Sequence, residues 1–425
     1  MAKAKSKKIT LEEALVPVEE QPYEVPENWC WVKLSYIADI RTGRKDANYG
    51  NEDGEYYFFT CASEPIRCDD YSYDCKAILL AGNGDIGNIS IYEGKFEAYQ
   101  RTYIVETKEN SITEYLYYYF KYRWVDYNND KMFGTAIPYI RLGNLNEFEI
   151  PVPPLSEQQR IVEQIESLFA KLDEAKEKAQ EVIDGYEARN ATVYNDAFSG
   201  RLTAQWRKDN YKENKWETKR FDEVADIKSN LVEPSNYLEF PHIAPDNIEK
   251  RTGILLDYHT IAEDGVKSGK HRFYAGQILY SKIRPYLSKV VMVDFDGLCS
   301  ADMYPIESKE NTKYLLYYML SDMFLEQASS AGSRSVLPKI NQKELSAIKV
   351  RITSDEEQKE VVRILDYLLP MMQQVRDKAV QVVDNIDTIK KSILAKAFRG
   401  KLGTNIPEDE SAMELLKIIL NKGEC

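Results

Sequence analysis

The sequence predicts an α+β protein in which two similar domains are separated by an antiparallel two-helix coiled coil and related by an internal pseudo-two-fold repeat. Three observations lead there: a repeat spanning almost half the chain, strand-like runs confined to two regions, and a heptad-patterned stretch after each region.

Residues 29–42 (WCWVKLSYIADIRT) match 216–229 (WETKRFDEVADIKS) at an offset of 187, centred on Ala38-Asp39-Ile40 and Ala225-Asp226-Ile227. Later matches sit at or near 200: Ile78-Leu79 with Ile278-Leu279, Tyr115-Leu116 with Tyr314-Leu315, Glu157-Gln158 with Glu357-Gln358, and Ala197-Phe198 through Leu202 with Ala397-Phe398 through Leu402. The whole change of 13 residues falls between Ile40 and Ile78, so a constant frame encloses a region free to vary in length. The period is far longer than that of a solenoid and marks a duplicated domain.

Each copy has two parts. The first is rich in β-branched and aromatic runs broken by Gly, Asn and Pro, such as 55–60, 77–80, 89–92 and 103–106, which read as short strands. One helix stands out near 113–122, with a partner near 312–322. The second part is a long helix. Pro151, Pro153 and Pro154 precede it, and Ser156 with Gln159 forms an expected capping box. Ile161, Ile165, Leu168, Leu172, Ala175, Ala179, Val182 and Tyr186 then follow a 4-3 spacing. The second copy offers Val361, Leu365, Leu368, Met372, Val375, Ala379, Val382, Ile386, Ile389 and Ile393, and Gly200 and Gly400 close the two helices.

Connectivity then places the first domain at the start of helix one and the second at its end, so helix two runs back and pairs antiparallel. A single helix over 156–198 would be roughly 64 Å long at about 1.5 Å per residue, and the expected shape is two heads held by a rod. The rod reads as a ruler for a two-part target; a hairpin with no role beyond spacing and dimerisation in trans are the other readings. Thr10 and Glu13 form a second expected capping box, and residues 411–420 an amphipathic helix, so the two chain ends are expected to pack together near the first head unless they fray.

Composition bounds the function. Hydrophobic residues make up 43% and charged residues 29%, enough for each domain to bury a core. A mean hydropathy of −0.50, with no apolar run near 18 residues, argues against a membrane span. Glu12 and Glu13 interrupt any apolar core behind the basic first eight residues, so no signal peptide is expected. Six cysteines are too few for a disulfide framework, which points to a reduced, cytoplasmic protein. The net charge of −13 disfavours nonspecific polyanion binding, yet cations gathered on one face can still meet nucleic acid.

Enzymatic signatures fail in context. The GxGxxG of residues 82–87 follows a strand but precedes another strand-like run, so it lacks the helix N-terminus that a pyrophosphate needs and reads as a hairpin loop. Residues 265–270 resemble a phosphate loop one residue short, with His271 in place of Ser or Thr. Cys61, Cys68 and Cys75 form no CxxC pair, and the three histidines lie in the other copy, so no metal site is expected. Glu174-Ala-Lys176 falls within the heptads and reads as a solvated face.

What remains is polar loops in both copies. The first loop carries Arg41, Thr42, Arg44 and Lys45, against Lys228 and Ser229. The second carries Asn83 and Asn88, against Ser281, Lys282, Arg284, Tyr286 and Lys289. The third carries Thr135, Tyr139 and Arg141, against Arg334, Ser335 and Lys339. Small polar groups beside Arg, Lys and Asn suit phosphates and base edges; any one of them read alone is more often an ordinary solvated loop residue, and the case rests on all three loops being polar in both copies.

The run Pro151-Val-Pro-Pro-Leu-Ser-Glu-Gln-Gln-Arg-Ile161 opening a long helix, the twice-seen Ala-Phe-x-Gly-[Arg/Lys]-Leu, and Leu11-Glu-Glu-Ala-Leu15 with Pro22-Tyr-Glu-Val-Pro-Glu-Asn-Trp29 together resemble the specificity subunit of type I restriction–modification systems. The likeness covers essentially the whole chain, although the second helix opens Thr353-Ser-Asp-Glu-Glu357 without the proline run. It implies an N-terminal segment (1–28), target recognition domains at 29–154 and 205–353, conserved helices at 155–204 and 354–402, and a C-terminal tail (403–425). It also implies that each head reads half of a bipartite DNA site, that the rod sets the spacer, and that the chain itself is not catalytic. Two methyltransferase subunits using S-adenosylmethionine, and restriction subunits using ATP and Mg²⁺, are the implied partners; this chain carries no cofactor of its own. A stand-alone DNA-modifying enzyme and a scaffold that binds only proteins are the competing readings.

Overall fold

The computed structural model describes residues 10–109, 112–331 and 338–422. The chain folds as two compact units, one ending at Lys178 and resuming at Val382, the other spanning Ala179–Gln381.

In the first unit, six strands form one sheet in the order Ala38–Thr42, Thr102–Thr107, Tyr73–Ala81, Ile89–Ala98, Tyr56–Phe59, Ile66–Cys68. Every pairing is antiparallel except that of Tyr56–Phe59 with Ile89–Ala98. Alternation along Tyr73–Ala81 sends Ile78 and Leu80 toward the main core and Ala77 and Leu79 to a second cluster with Phe59, Tyr73 and Phe96. Helix Thr113–Asn128 buries Tyr115, Tyr119, Phe120 and Trp124 in the main core.

The second unit repeats four of those strands in the same order: Ala225–Ile227, Met303–Ser308, Ile278–Ser281, Val290–Met292. Its helix is split into Thr312–Leu320 and Asp322–Ala331. The length difference in the sequence has a structural counterpart. Residues 40–78 add two strands to the shared sheet, whereas residues 227–278 supply four strands to a separate five-stranded sheet: Leu231–Val232, Lys270–Phe273, Gly297–Cys299, Pro241–Ile243, His259–Thr260.

A short antiparallel ladder delivers the chain from each head into its helix: Cys30–Lys33 with Glu149–Val152, and Glu217–Arg220 with Lys349–Ile352. The helix starts at Leu155, so the expected Ser156 capping box does not form; the amides of Glu157 and Gln158 donate to Pro154 O, and the Gln159 side chain turns to Glu163. The expected unbroken first helix is instead two, Leu155–Asp184 and Tyr186–Phe198. Gly185 is the weak point, since glycine costs about 1 kcal/mol in a helix interior, and Arg189 Nη2 donates to Glu181 O (3.4 Å) and Val182 O (2.5 Å) at the break. The second helix runs from Asp355 to Ala397 as 43 residues, through Pro370.

Within each unit the two helical segments run antiparallel. In the first, Arg160 Nε reaches Thr404 O (3.1 Å) and Asp173 pairs with Lys390 (2.6 Å). In the second, Tyr186 donates to Gln373 Oε1 (2.5 Å), and Arg207 pairs with Glu357. The end of one helix completes each core. Phe198 meets Tyr314 and Tyr318 edge-on (centroids 5.3 and 5.0 Å), and Phe398 meets Tyr115 and Tyr119 likewise (5.3 and 5.0 Å).

The seam of the second helix departs from expectation after Met372. Val375, Val382 and Ile389 are 50%, 43% and 43% exposed rather than buried. Arg376 and Lys390 take inward positions, lying over Tyr186 and Phe169 at 5.2 and 5.0 Å; their apolar stems and cationic heads serve where an aliphatic side chain was expected. At the chain ends, the Thr10–Glu13 capping box forms around helix Leu11–Ala14, and Ala14 and Val16 share a core with Ala412, Leu415, Leu416 and Ile419 of helix Ala412–Lys422.

A buried carboxylate joins head to helix in both units. Glu157, with no exposed surface, accepts from Trp29 Nε1 (2.7 Å), Asn405 Nδ2 (2.8 Å) and Thr404 Oγ1 (3.4 Å). Glu357 accepts from Trp216 Nε1 (3.0 Å), Thr203 Oγ1 (2.5 Å), Thr353 Oγ1 (2.8 Å) and the Arg207 guanidinium. Gly200 and Gly400 adopt φ +80° and +66°, and a Cβ there would strike Trp216 at 2.8 Å and Pro26 at 2.3 Å. We expect Glu357→Gln to cost about 3 kcal/mol, because it leaves the partly buried Arg207 guanidinium without its counter-charge. Glu157→Gln, which strands no cation, should cost less. Urea unfolding with an unchanged midpoint for Glu357→Gln would refute the clasp.

Candidate nucleic-acid interface

The loops that the sequence placed far apart come together in each head. Residues 82–87 form the hairpin between Tyr73–Ala81 and Ile89–Ala98, with Gly84 at φ +71°. Residues 133–139 close on themselves through reciprocal Phe133 and Tyr139 backbone bonds of 2.9 Å. The two loops are then zipped: Gly84 N donates to Pro138 O (2.8 Å) and Ile140 N to Gly82 O (2.9 Å). The second head repeats both bonds at an offset of 200, Arg284 N to Pro338 O (2.7 Å) and Ile340 N to Lys282 O (2.9 Å). The first loop joins this edge in the first head, where Gly43 N donates to Thr102 O and Gly82 N to Arg101 O.

Side chains divide between those that hold the loops and those that project. Arg41 pairs with Glu106 (2.5 Å), and Lys228 pairs with Glu307 (2.8 Å) at the matching place. Asn88 Nδ2 donates to Cys61 O (3.0 Å), Ser281 is buried with its hydroxyl on Ile283 O, and Lys289 Nζ donates to Pro245 O (2.7 Å). These residues are engaged in the frame. Asn83 is half-buried and bridged to Tyr139 through the backbone, and Arg141 lies over Phe133 (3.9 Å) with Nη2 donating to Tyr139 Oη (3.2 Å). Lys45 sits over Tyr49 (4.1 Å) and Lys339 pairs with Asp302 (2.9 Å).

Thr42, Arg44, Thr135, Ser229, Arg284 and Tyr286 are exposed. Arg334 and Ser335 lie outside the described residues. Sequence reasoning missed Arg101, an exposed cation on the turn beside Gly82; the position nearest to it in the repeat is the acidic Asp302, so the comparison of copies gave no signal. It also missed Lys131, which stands over Tyr127 (3.4 Å) in an open cleft with Phe133, Arg141 and Glu147.

Burial and like charge mark the second head. Desolvation, followed by the Lys339 ammonium, lowers the pKa of Lys282, whose Nζ lies 5.2 Å above Tyr304. His271 is buried, its Nδ1 finds no partner among the described residues, and burial together with the Lys282 charge holds its pKa below the usual imidazole value. His242 and His259 share Asp264 through Nδ1 at 2.7 and 3.2 Å. Among the described residues no group of three or more His, Cys, Asp or Glu side chains could hold a metal ion, and no helix is long and apolar enough to cross a membrane.

Two heads of one design, each presenting zipped polar loops on a common frame, form a two-site recognition protein. The family described as "Type I restriction modification DNA specificity domain" matches residues 26–183 and again 213–378, and the chain belongs to it. It is 41% identical to the type I restriction enzyme EcoDI specificity subunit of Escherichia coli over 406 residues, covering 89% of this chain and 90% of that one. The MjaIX specificity subunit of Methanocaldococcus jannaschii is 24% identical, with 89% and 94% covered. Among solved structures, the HsdS subunit from Thermoanaerobacter tengcongensis shares the fold, with a TM-score of 0.64, 19% identity, and 91% of this chain and 100% of that chain covered. The chain is therefore a DNA-recognition subunit and not the catalytic one.

The state of His271 has a pH consequence. Its folded pKa is lowered, so the unfolded chain binds the extra proton as pH falls through about 6.5, and stability declines in that direction. Thermal midpoints between pH 7.5 and 5.5 should fall less steeply for His271→Gln than for the parent chain; parallel curves would refute the assignment.

Proposed function

We propose that each head reads one half of a bipartite, asymmetric DNA site and that the paired helices set the unread spacer between the halves. Two methyltransferase subunits dock on those helices, and restriction subunits join them. S-adenosylmethionine serves the former and ATP with Mg²⁺ the latter, in the cytoplasm where the DNA lies. The observation that carries this reading is the loop zipper: both heads repeat the same backbone bonds at an offset of 200, while the side chains at the tips differ. An identical frame with different projecting groups suits two different half-sites.

The helices support the docking role. Val375, Val382 and Ile389 are exposed and seven residues apart, and Tyr367 and Met371 extend the stripe at 64% and 50% exposure. Heptad-spaced apolar groups left outside their own seam match a partner helix better than they match phosphates. The net charge of −13 keeps sequence-independent attraction to DNA weak, which leaves recognition to base contacts and to the assembled complex.

Inserting one heptad into both helices adds about 10.5 Å, or roughly three base pairs at about 3.4 Å each. The methylated motif should gain about that much spacer with both half-sites intact; altered half-sites would overturn the ruler. Tyr367→Glu with Val375→Glu should reduce co-purification of the methyltransferase subunit at least tenfold while the thermal midpoint of the chain holds. Undiminished capture would remove the stripe from the docking surface.

A further inference from the structure

We propose that Arg284 is the residue with which the second head reads a guanine in its half-site. The inference rests on the two-part reading above and assigns one base of it.

The backbone supplies the first observation. Arg284 adopts φ 49° and ψ 58°, in the left-handed region that L side chains rarely enter, and its repeat partner Gly84 occupies the same region at φ +71°. The frame thus calls for a glycine conformation at this place, and the second head meets it with an arginine. Strain of this kind persists where the surroundings over-determine the conformation, and it gathers at functional sites. Here the determinants are visible. Arg284 N donates to Pro338 O (2.7 Å), Leu287 N donates to Arg284 O (2.9 Å), and Pro285 follows directly. Ser288, at φ 45°, closes the far side of the turn with its hydroxyl on Met319 O (3.3 Å). The loop is a pinned platform for one long side chain.

The side chain supplies the second. Arg284 is exposed, and among the described residues its guanidinium has no hydrogen bond, ion pair or ring contact. Its cationic neighbours are occupied: Lys228 by Glu307, Lys289 by Pro245 O, Lys339 by Asp302, and Lys282 over Tyr304. A guanidinium fork left unpaired on a rigid loop matches the two acceptors, O6 and N7, that guanine shows in the major groove. Phosphate attraction alone is met by a point charge and would need no strained, pinned geometry, whereas a planar fork gains from being aimed. In the first head a Cβ at Gly84 would meet nothing within 4 Å, so the matching place there is open and carries no reader.

The test uses the complex of this chain with its methyltransferase subunits, a randomised duplex DNA library and S-adenosylmethionine, with the methylated motif read by sequencing. Arg284→Gly suits the left-handed backbone, so the thermal midpoint should hold or rise. Discrimination for guanine at one position of the second half-site should fall 10- to 100-fold, with the first half-site and spacer unchanged, and Arg284→Lys should fall between. A two-part parent motif that Arg284→Gly leaves unaltered overturns the assignment. So does a uniform loss at every position with a shallower salt dependence, which would make Arg284 a phosphate contact. A parent complex that methylates no two-part motif overturns instead the reading beneath it.

Discussion

Two buried carboxylates hold the architecture. Glu157 and Glu357 each sit in the first turn of a long helix and collect the indole N–H of the tryptophan that opens a head and the hydroxyl of a threonine that follows a helix end. Three chain segments remote in sequence thereby meet at one group. A buried carboxylate tolerates this only when its lone pairs are filled, so strand, helix start and helix end form together or leave an uncompensated charge. The repeated Ala-Phe-x-Gly-[Arg/Lys]-Leu is the covalent half of the same device: the phenylalanine enters the aromatic core and the glycine turns the chain beneath a tryptophan or proline where a Cβ would clash.

Much of this was legible in the sequence because it repeats. The duplicated frame, the variable region between Ile40 and Ile78, the helix ends at Gly200 and Gly400 and the Thr10 capping box all follow from patterns with strong local physics. The misses have physical reasons too. Ser156 lost the cap because Pro154 O already accepts the first helical amides. The break at Gly185 stayed hidden because the heptad continues through it, and only the Arg189 side chain shows how the loose carbonyls are met. The outward Val375, Val382 and Ile389 fit the seam spacing all the same, because a hydrophobicity pattern cannot tell a residue facing its own chain from one left for another.

At the candidate interface the sequence picked out loops that the fold brings together, but it could not sort their residues. Arg41 and Lys228 look like phosphate ligands in isolation, yet each is neutralised by a glutamate on the neighbouring strand, in both copies. Ser281 and Asn88 look like base readers, yet the Ser281 hydroxyl and the Asn88 Nδ2 donate to loop carbonyls. Hydrogen-bond capacity is finite, and a group used to hold a loop is not available to a ligand.

The duplication itself separates frame from reader. Where the two heads agree in geometry and in chemistry, as at Arg41–Glu106 and Lys228–Glu307, the feature serves the fold they share. Where they agree in geometry but differ in chemistry, as at Gly84 and Arg284, the fold cannot be the reason for the difference. Backbone bonds carry the loop zipper, so side chains at its tips change without loosening it. A scaffold built this way can vary its target while its core stays constant, because the groups that read and the groups that fold draw on different atoms.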